Sequence, residues 1–298
     1  MDSFKDLDAI YLKNISHNKY YLEECQWLSL AQSLKLSKKE FLFYALNYAR
    51  NLSQPLISNF KVGAVGLGVS NKLYFGANIE FLKFPLNQTI HAEQALVSMA
   101  YSQMETGLKE VYLTAFPCGH CRQFMREMNN FAEVKIFVSS EKKKSFLLSQ
   151  LLPNSFGPQD LQVTQYLFGK ILDNKKFKFV HNTSKKISEQ IKEKLLFALE
   201  RSFCPYSQNP SAVVLQFNDV SLAAQNLLIC GSCIESCAYN PSLSAFHMAY
   251  AQAILSKQDL KKLKVVYFSE QENAVVVHEN CTRELLALVA PQAEFYVI

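Results

Sequence analysis

The stretch IHAEQALVSMAYS at residues 90–102, followed by FPCGHCRQFMRE at residues 116–127, decides how the chain is read. The first segment is apolar beyond its opening residues and reads as a helix. The second opens a helix, predicted over 118–130, with two cysteines three positions apart, so both lie on one face. Working outward, 111–115 and 134–138 read as strands. Upstream, 61–69 and 73–79 are further strands joined by a turn at Asn71-Lys72. Ser37 reads as an N-cap with Glu40 as its capping-box partner, opening a helix over 38–51 that turns Phe41, Ala45, Tyr48 and Ala49 toward a core. Residues 1–36 read as a helical extension with Tyr20, Leu22, Trp27, Leu28, Leu30 and Leu34 as its apolar stripe. Strands alternating with helices give a layered α/β domain.

The same grammar returns later in the chain. A helix over 187–203 echoes the one before Pro55, and 211–217 echoes 62–67. Gly231-Ser232-Cys233-Ile234-Glu235 stands opposite Gly76-Ala77-Asn78-Ile79-Glu80. A helix over 246–255 matches the one opened by His91, and 265–268 matches 111–114. The chain is therefore a duplication: an extension at 1–36, a first domain at 37–150, a linker at 151–184 marked by Pro153-Asn154 and Gly157-Pro158, and a second domain at 185–298.

Composition bounds the function. The 298 residues are 49% apolar and 19% charged, as in an ordinary globular protein. The net charge of +5 is scattered. Its densest run, Lys142-Lys143-Lys144, follows Glu141 and has no aromatic platform beside it, so no nucleic-acid track is expected. No segment is long and apolar enough for a bilayer. The opening residues carry Asp2, Asp6 and Asp8 rather than a signal pattern, so a cytosolic protein with no membrane partner is expected. In that compartment the eight cysteines are candidates for metal or redox chemistry rather than structural disulfides.

The chemistry concentrates in His91, Glu93, Cys118 and Cys121. Two thiolates and an imidazole suit a tetrahedral Zn²⁺, and three protein ligands leave the fourth position for water. A helix start favours thiolate forms. Two thiolates neutralise the ion, which makes a nearby carboxylate base useful, and Glu93 is two residues from a ligand. Taken singly, His91 and Glu93 could open any helix, and a Cys-x-x-Cys could be a closed zinc knot or a redox pair. The joint pattern, His-x-Glu with Pro-Cys-x-x-Cys, is the signature of zinc deaminases. His120, between the cysteines, is expected to point elsewhere on the helix, leaving the site open.

With Ser58-Asn59-Phe60-Lys61-Val62-Gly63-Ala64, residues 76–80, His91-Ala92-Glu93-Gln94 and residues 117–127, the chain resembles the two-domain, homodimeric cytidine deaminases of bacterial type, from about residue 40 to its end. The resemblance implies duplicated three-layer domains, each a mixed sheet flanked by helices. It implies one zinc per chain on His91, Cys118 and Cys121, with Glu93 as proton shuttle. It implies that Asn78 and Glu80 hold the ribose 3′-hydroxyl, that Phe60 packs on the base and that Ala92 lines the substrate site. Phe116 departs from the Ser or Thr common in relatives. Smaller members tend to carry Cys as third ligand and Arg at the position of Gln94; here both are neutral, so the charge balance is kept.

The second half has lost this chemistry. Ser244-Ala245-Phe246 stands where His91-Ala92-Glu93 does, and Cys233 replaces Asn78. His278 and Cys281 face Cys118 and Cys121 without a third ligand. Cys230, Cys233 and Cys237 are read as packing residues rather than a second metal site, because Cys230 and Cys233 would face opposite sides of a strand. The resemblance implies that Ala238 and Tyr239, in Ala238-Tyr239-Asn240-Pro241, reach the partner subunit's nucleoside; otherwise Tyr239 packs in its own domain.

The implied reaction is hydrolysis of the 4-amino group of cytidine and 2′-deoxycytidine in pyrimidine salvage. Glu93 takes a proton from the activated water and delivers it to N3. The water oxygen attacks C4, and Glu93 protonates the leaving amine, giving the uracil nucleoside and ammonia. A carboxylate at Glu80 accepts from a hydroxyl but repels a phosphate, which disfavours the rival enzyme reading, a nucleotide or polynucleotide deaminase; rates on cytidine, its 5′-monophosphate and single-stranded DNA separate the two. A non-catalytic zinc-stabilised interaction module is the rival from another class.

Overall fold

The computed structural model describes residues 20–141, 143–169, 187–218 and 227–298. The opening part of the 1–36 extension, Lys142 and the 170–184 part of the expected linker lie outside these residues. The chain divides into two units. The first holds the described residues up to Gly169 together with Ser236–Pro241 and Ile254–Lys257; the second holds those up to Glu235, Ser242–Ala253 and Gln258–Ile298. Among the described residues no helix is long and apolar enough to cross a membrane.

In the first unit, β1 (Tyr21–Leu22) and α1 (Glu24–Ser33) lead into α2 (Lys38–Asn51). Ser37 caps α2 through the Glu40 amide, and Glu40 returns a bond to the Ser37 amide, so the capping box predicted from sequence is formed. Residues 21–22 are strand rather than helix. Tyr21 and Leu22 pair antiparallel with Tyr74 and Leu73, and the edge they complete outweighs local helix propensity. Trp27 then stacks on Phe41, 6.1 Å between centroids, which places α1 in the core of the first unit.

The sheet runs β1-β3-β2-β4-β5-β6, where β2 is Gly63–Gly68, β3 Leu73–Ala77, β4 Leu108–Leu113, β5 Lys135–Val138 and β6 Phe146–Leu147. Only the β4–β5 pairing is parallel. Between β3 and β4 runs α3 (Ala92–Ser102), buried at every residue from Ala92 to Tyr101, as its nearly charge-free sequence requires. The Cys118 helix, α4 (Gly119–Met125), is shorter than expected. Beyond it the chain turns so that Met128 bridges Leu167. Leu167 and Phe168 are buried there, and residues 151–169 of the expected linker are part of the first unit. That packing is irregular and left no periodic signal in the sequence.

The second unit repeats the central topology. Its sheet runs β10-β9-β7-β8, with β7 Ser211–Phe217, β8 Leu227–Ser232, β9 Leu263–Glu270 and β10 Glu294–Val297. The pairings β8–β7 and β7–β9 are antiparallel and β9–β10 parallel, as in β3-β2-β4-β5. A register shift falls between Leu67 and Gly68 and again between Gln216 and Phe217. The duplicated deaminase-like α/β architecture inferred from sequence is the one observed. The closing helix Glu279–Val289 and strand β10 were not anticipated by the sequence reading.

Both units dock their buried helix through a glycine. A Cβ on Gly76 would meet the Ala92 carbonyl oxygen and sit 2.5 Å from the Leu96 nitrogen; one on Gly231 would meet the Ala245 carbonyl and sit 2.6 Å from the Ala249 nitrogen. Because the obstacle is backbone, it cannot rotate away. Gly76→Ala is expected to cost about 1–3 kcal/mol by overpacking. Gly119→Ala, whose Cβ meets nothing within 4 Å, should leave the urea midpoint unchanged or slightly raised. Equal midpoints for all three proteins would refute the close-docking argument.

Candidate active site

Two helix starts build the site. His91 is the N-cap of α3, with extended φ and ψ of −78° and 154°, and Cys118 is the N-cap of α4. The Gln94 side-chain Oε1 accepts the His91 amide at 3.0 Å, fixing the backbone that carries the imidazole. Arg122 does the same for the other turn, donating to the Pro117 carbonyl at 2.7 Å and to the Leu151 carbonyl at 2.7 Å. The thiol of Cys118 consequently lies 3.5 Å from His91 Nδ1 and 3.6 Å from Cys121 Sγ.

These three donor atoms lie within 4.8 Å of one another, the only such group of three among the described residues. A tetrahedral zinc with bonds of about 2.3 Å to sulfur and 2.0–2.1 Å to nitrogen spaces its ligand atoms by about 3.5–3.8 Å. The two separations made by Cys118, 3.5 and 3.6 Å, fall in that interval, so the donor set fits the ion in chemistry and in the spacing about Cys118. His120 does not point away from the site as expected. Its ring stacks on that of His91, 4.9 Å apart and inclined by 24°, and steadies the imidazole plane. The sequence signal was its place in the first turn of α4.

The Cys121 thiol, with burial opposing and His91 helping, brings the Cys118 thiol down to about 3. Burial holds the Cys121 thiol well above its ordinary range. Cys118 thus favours the thiolate, and Cys121 would lose its proton when a metal binds. Glu93 is buried, 4% exposed, and shares a hydrogen bond with the Cys121 thiol. Burial raises its carboxyl above the usual range.

A cleft of about 320 Å³ opens beside this group; Phe60, Asn78, Glu80, Ala92 and Glu93 line it, with Phe116 and Leu86 at the rim. Asn78 accepts the Val62 amide and donates to the Phe60 carbonyl, so it shapes the turn that presents Phe60, itself 60% exposed. Glu80 accepts the Ile57 and Ser58 amides on one oxygen and the Ser58 hydroxyl on the other. Burial raises its carboxyl, but these bonds outweigh burial and hold it below the usual range. With roughly four acceptor positions on a carboxylate, one remains for a ligand hydroxyl.

Ala238 and Tyr239 do not line this cleft in their own chain. Their segment Ser236–Pro241 belongs to the first unit, where Glu127 accepts the Cys237 amide at 2.8 Å and Gln94 donates to the Pro241 carbonyl at 2.8 Å. Between these ties Ala238, Tyr239 and Asn240 are exposed, Tyr239 by 68% with φ of +60°.

In the second unit the corresponding places hold different groups. Ser244 bonds His247 Nδ1 at 2.7 Å, and Phe246 is fully buried where the first unit has Glu93. Glu235 accepts the Tyr206 and Ser207 amides as Glu80 accepts those of Ile57 and Ser58. Cys237 lies against Gln123 and Phe156 in the first unit, whereas Cys233 contacts Cys204 and His278 in the second.

Two sequence profiles of the cytidine and deoxycytidylate deaminase zinc-binding region match, one over residues 36–138 and the other over 148–283. A cytidine deaminase of Aliivibrio fischeri is 34% identical over 266 residues, 89% of this chain and 84% of the relative. One from Pectobacterium carotovorum is 35% identical over 259 residues, 87% of this chain and 82% of the relative. The solved cytidine deaminase of Mycobacterium leprae, 30% identical, covers 40% of this chain and 99% of its own, with a TM-score of 0.36. This chain belongs to the cytidine and deoxycytidylate deaminase zinc-binding family. Metal analysis of the purified protein should return one zinc per chain, and Cys121→Ser should lower that content severalfold. Two tightly held zincs per chain would contradict the single donor set.

Proposed function

We propose that the protein hydrolyses the 4-amino group of cytidine and 2′-deoxycytidine, releasing ammonia, as a cytosolic enzyme of pyrimidine salvage. The observation that carries this reading is a buried Glu93 beside the His91, Cys118 and Cys121 donor atoms at the floor of a nucleoside-sized cleft. His91, Cys118 and Cys121 would hold zinc, which when bound would supply the acidification of a water molecule.

Glu93 takes the proton from that water and passes it to N3 of the base, which makes C4 electrophilic. The water oxygen bonds to C4, and the same carboxyl takes the second proton from that oxygen and delivers it to the amine as the C4–N bond breaks and ammonia leaves. Its raised pKa suits both transfers, because a group that titrates closer to neutrality accepts and returns a proton readily. Phe60 packs on the base and Ala92 lines the site beside it. Asn78 and Glu80 hold the ribose 3′-hydroxyl, which both nucleosides carry. No residue lining the cleft among the described residues is Lys or Arg, and the Glu80 charge repels phosphate, so a free nucleoside is favoured over a nucleotide.

The reading extends to a homodimer in which Ala238 and Tyr239 wall the partner's cleft. Its support is an exposed aromatic on a segment tied down at both ends, absent from its own chain's cleft. The organisation proposed with it is a catalytic domain over 37–150 that the packed residues 151–169 extend, a linker confined to the remainder of 151–184, and a non-catalytic domain over 185–298.

Glu93→Gln should retain zinc while losing at least ~10²-fold in kcat on cytidine; full activity with full metal would remove Glu93 from the mechanism. Mixing Glu93→Gln chains with Tyr239→Ala chains tests the shared cleft. If Tyr239 serves its partner, the heterodimer has one doubly defective cleft and one intact cleft, and about half of a wild-type dimer's activity returns. If Tyr239 serves its own chain, activity stays low.

A further inference from the structure

The second unit carries a group of side chains for which the deamination reading has no use. Phe203 and Ile234 form a parallel bridge, with the Phe203 amide donating to the Cys233 carbonyl at 2.9 Å and the Glu235 amide to the Phe203 carbonyl at 2.8 Å. The neighbours of those two residues, Cys204 and Cys233, are brought together so that their thiols hydrogen-bond. On its other side the Cys233 sulfur contacts the imidazole of His278. His278 is anchored by Glu270, whose Oε2 lies 3.2 Å from Nδ1 and also accepts the His278 amide at 2.9 Å. Asn209, fully buried, holds Glu270 in place through a 3.0 Å bond.

Cys233 is 1% exposed, yet the His278 side chain keeps 18% of its surface open to solvent. The pair thus meets solvent at the imidazole.

We infer that Cys233, paired with His278 and backed by Cys204, is a peroxide-reactive thiol that closes to a Cys204–Cys233 disulfide. The chemistry balances. The Cys233 thiolate attacks hydrogen peroxide, the O–O bond breaks, and the His278 imidazolium gives the departing hydroxide a proton, leaving a sulfenic acid and water. The Cys204 sulfur then attacks the sulfenic sulfur. The S–O bond breaks and a second water leaves with the Cys204 proton, so two thiols have lost two electrons to one peroxide. The groups facing the pair set its ionisation. The Cys204 hydrogen bond, with burial opposing and His278 helping, lowers the Cys233 thiol to about 6, while Glu235 acts in the other direction. Contacts with Cys233 and Glu270 overcome burial to raise His278 to about 10. At neutral pH the pair is therefore thiolate and imidazolium, the reactive form of a cysteine. Cys204, held far above its ordinary range by burial, stays a thiol until the sulfenic acid forms beside it.

The test uses zinc-loaded full-length protein. After equimolar peroxide, peptide mass spectrometry should find a dithiothreitol-reversible link between the peptides of Cys204 and Cys233. Cys204→Ser should instead leave a Cys233 sulfenic acid that dimedone traps. The pH midpoint for Cys233 alkylation by iodoacetamide should lie near 6, and His278→Gln should move it upward by at least about one pH unit, toward the roughly 8.5 of a free thiol. The inference is overturned if both thiols remain free when the exposed Cys25 has been oxidised. A wild-type midpoint near that of a free thiol would overturn it as well.

Discussion

The cleft exists because two helices begin at the same place with their ligands already in the capping positions. A residue at an N-cap has an extended backbone and a side chain directed along the helix start, so His91 and Cys118 meet without either chain segment being distorted. Gln94 and Arg122 then remove the remaining freedom of each turn through bonds to backbone atoms. The depth at which α3 sits is governed by Gly76, since any side chain there would push the Ala92 end of the helix away from the sheet. The glycine, the cap and the ligand form one mechanical unit.

The two repeats separate structural from chemical roles. Glu80 and Glu235 hold equivalent turns by accepting two successive amides. The carboxylate is therefore first a scaffold part, retained where no metal donor set stands beside it. In the first unit it also keeps an unused acceptor position and faces a cleft. In the second unit Phe246 fills the position of Glu93 and Cys233 that of Asn78. The same topology thereby encloses a thiol and an imidazole where the first encloses a metal site.

Burial decides the ionisation of both sets. Glu93 is raised because its surroundings offer little water and few donors, whereas Glu80 is lowered by three donors despite its burial. Two carboxyls a few residues apart in function are thus tuned in opposite directions by hydrogen-bond supply, the general means by which one site holds both an acid and a fixed anion.

Much of this was determined by the sequence itself. The spacing of His91, Cys118 and Cys121 encodes the donor set, because ligands at helix starts need only local geometry. The duplication was legible because strand and helix periods repeat in order. The Ser37–Glu40 cap was legible because it is a four-residue interaction. Only the tertiary structure decided the rest. Residues 21–22 became strand because an edge of β3 was there to pair with. Residues 151–169 joined the first unit through Leu167 and Phe168 without a periodic signal. The His120 ring found His91 across two separate helices, and Cys204 reached Cys233 through a single bridge between distant segments. Contacts of that kind depend on where backbones cross, and a sequence records the residues available at a crossing without recording the crossing itself.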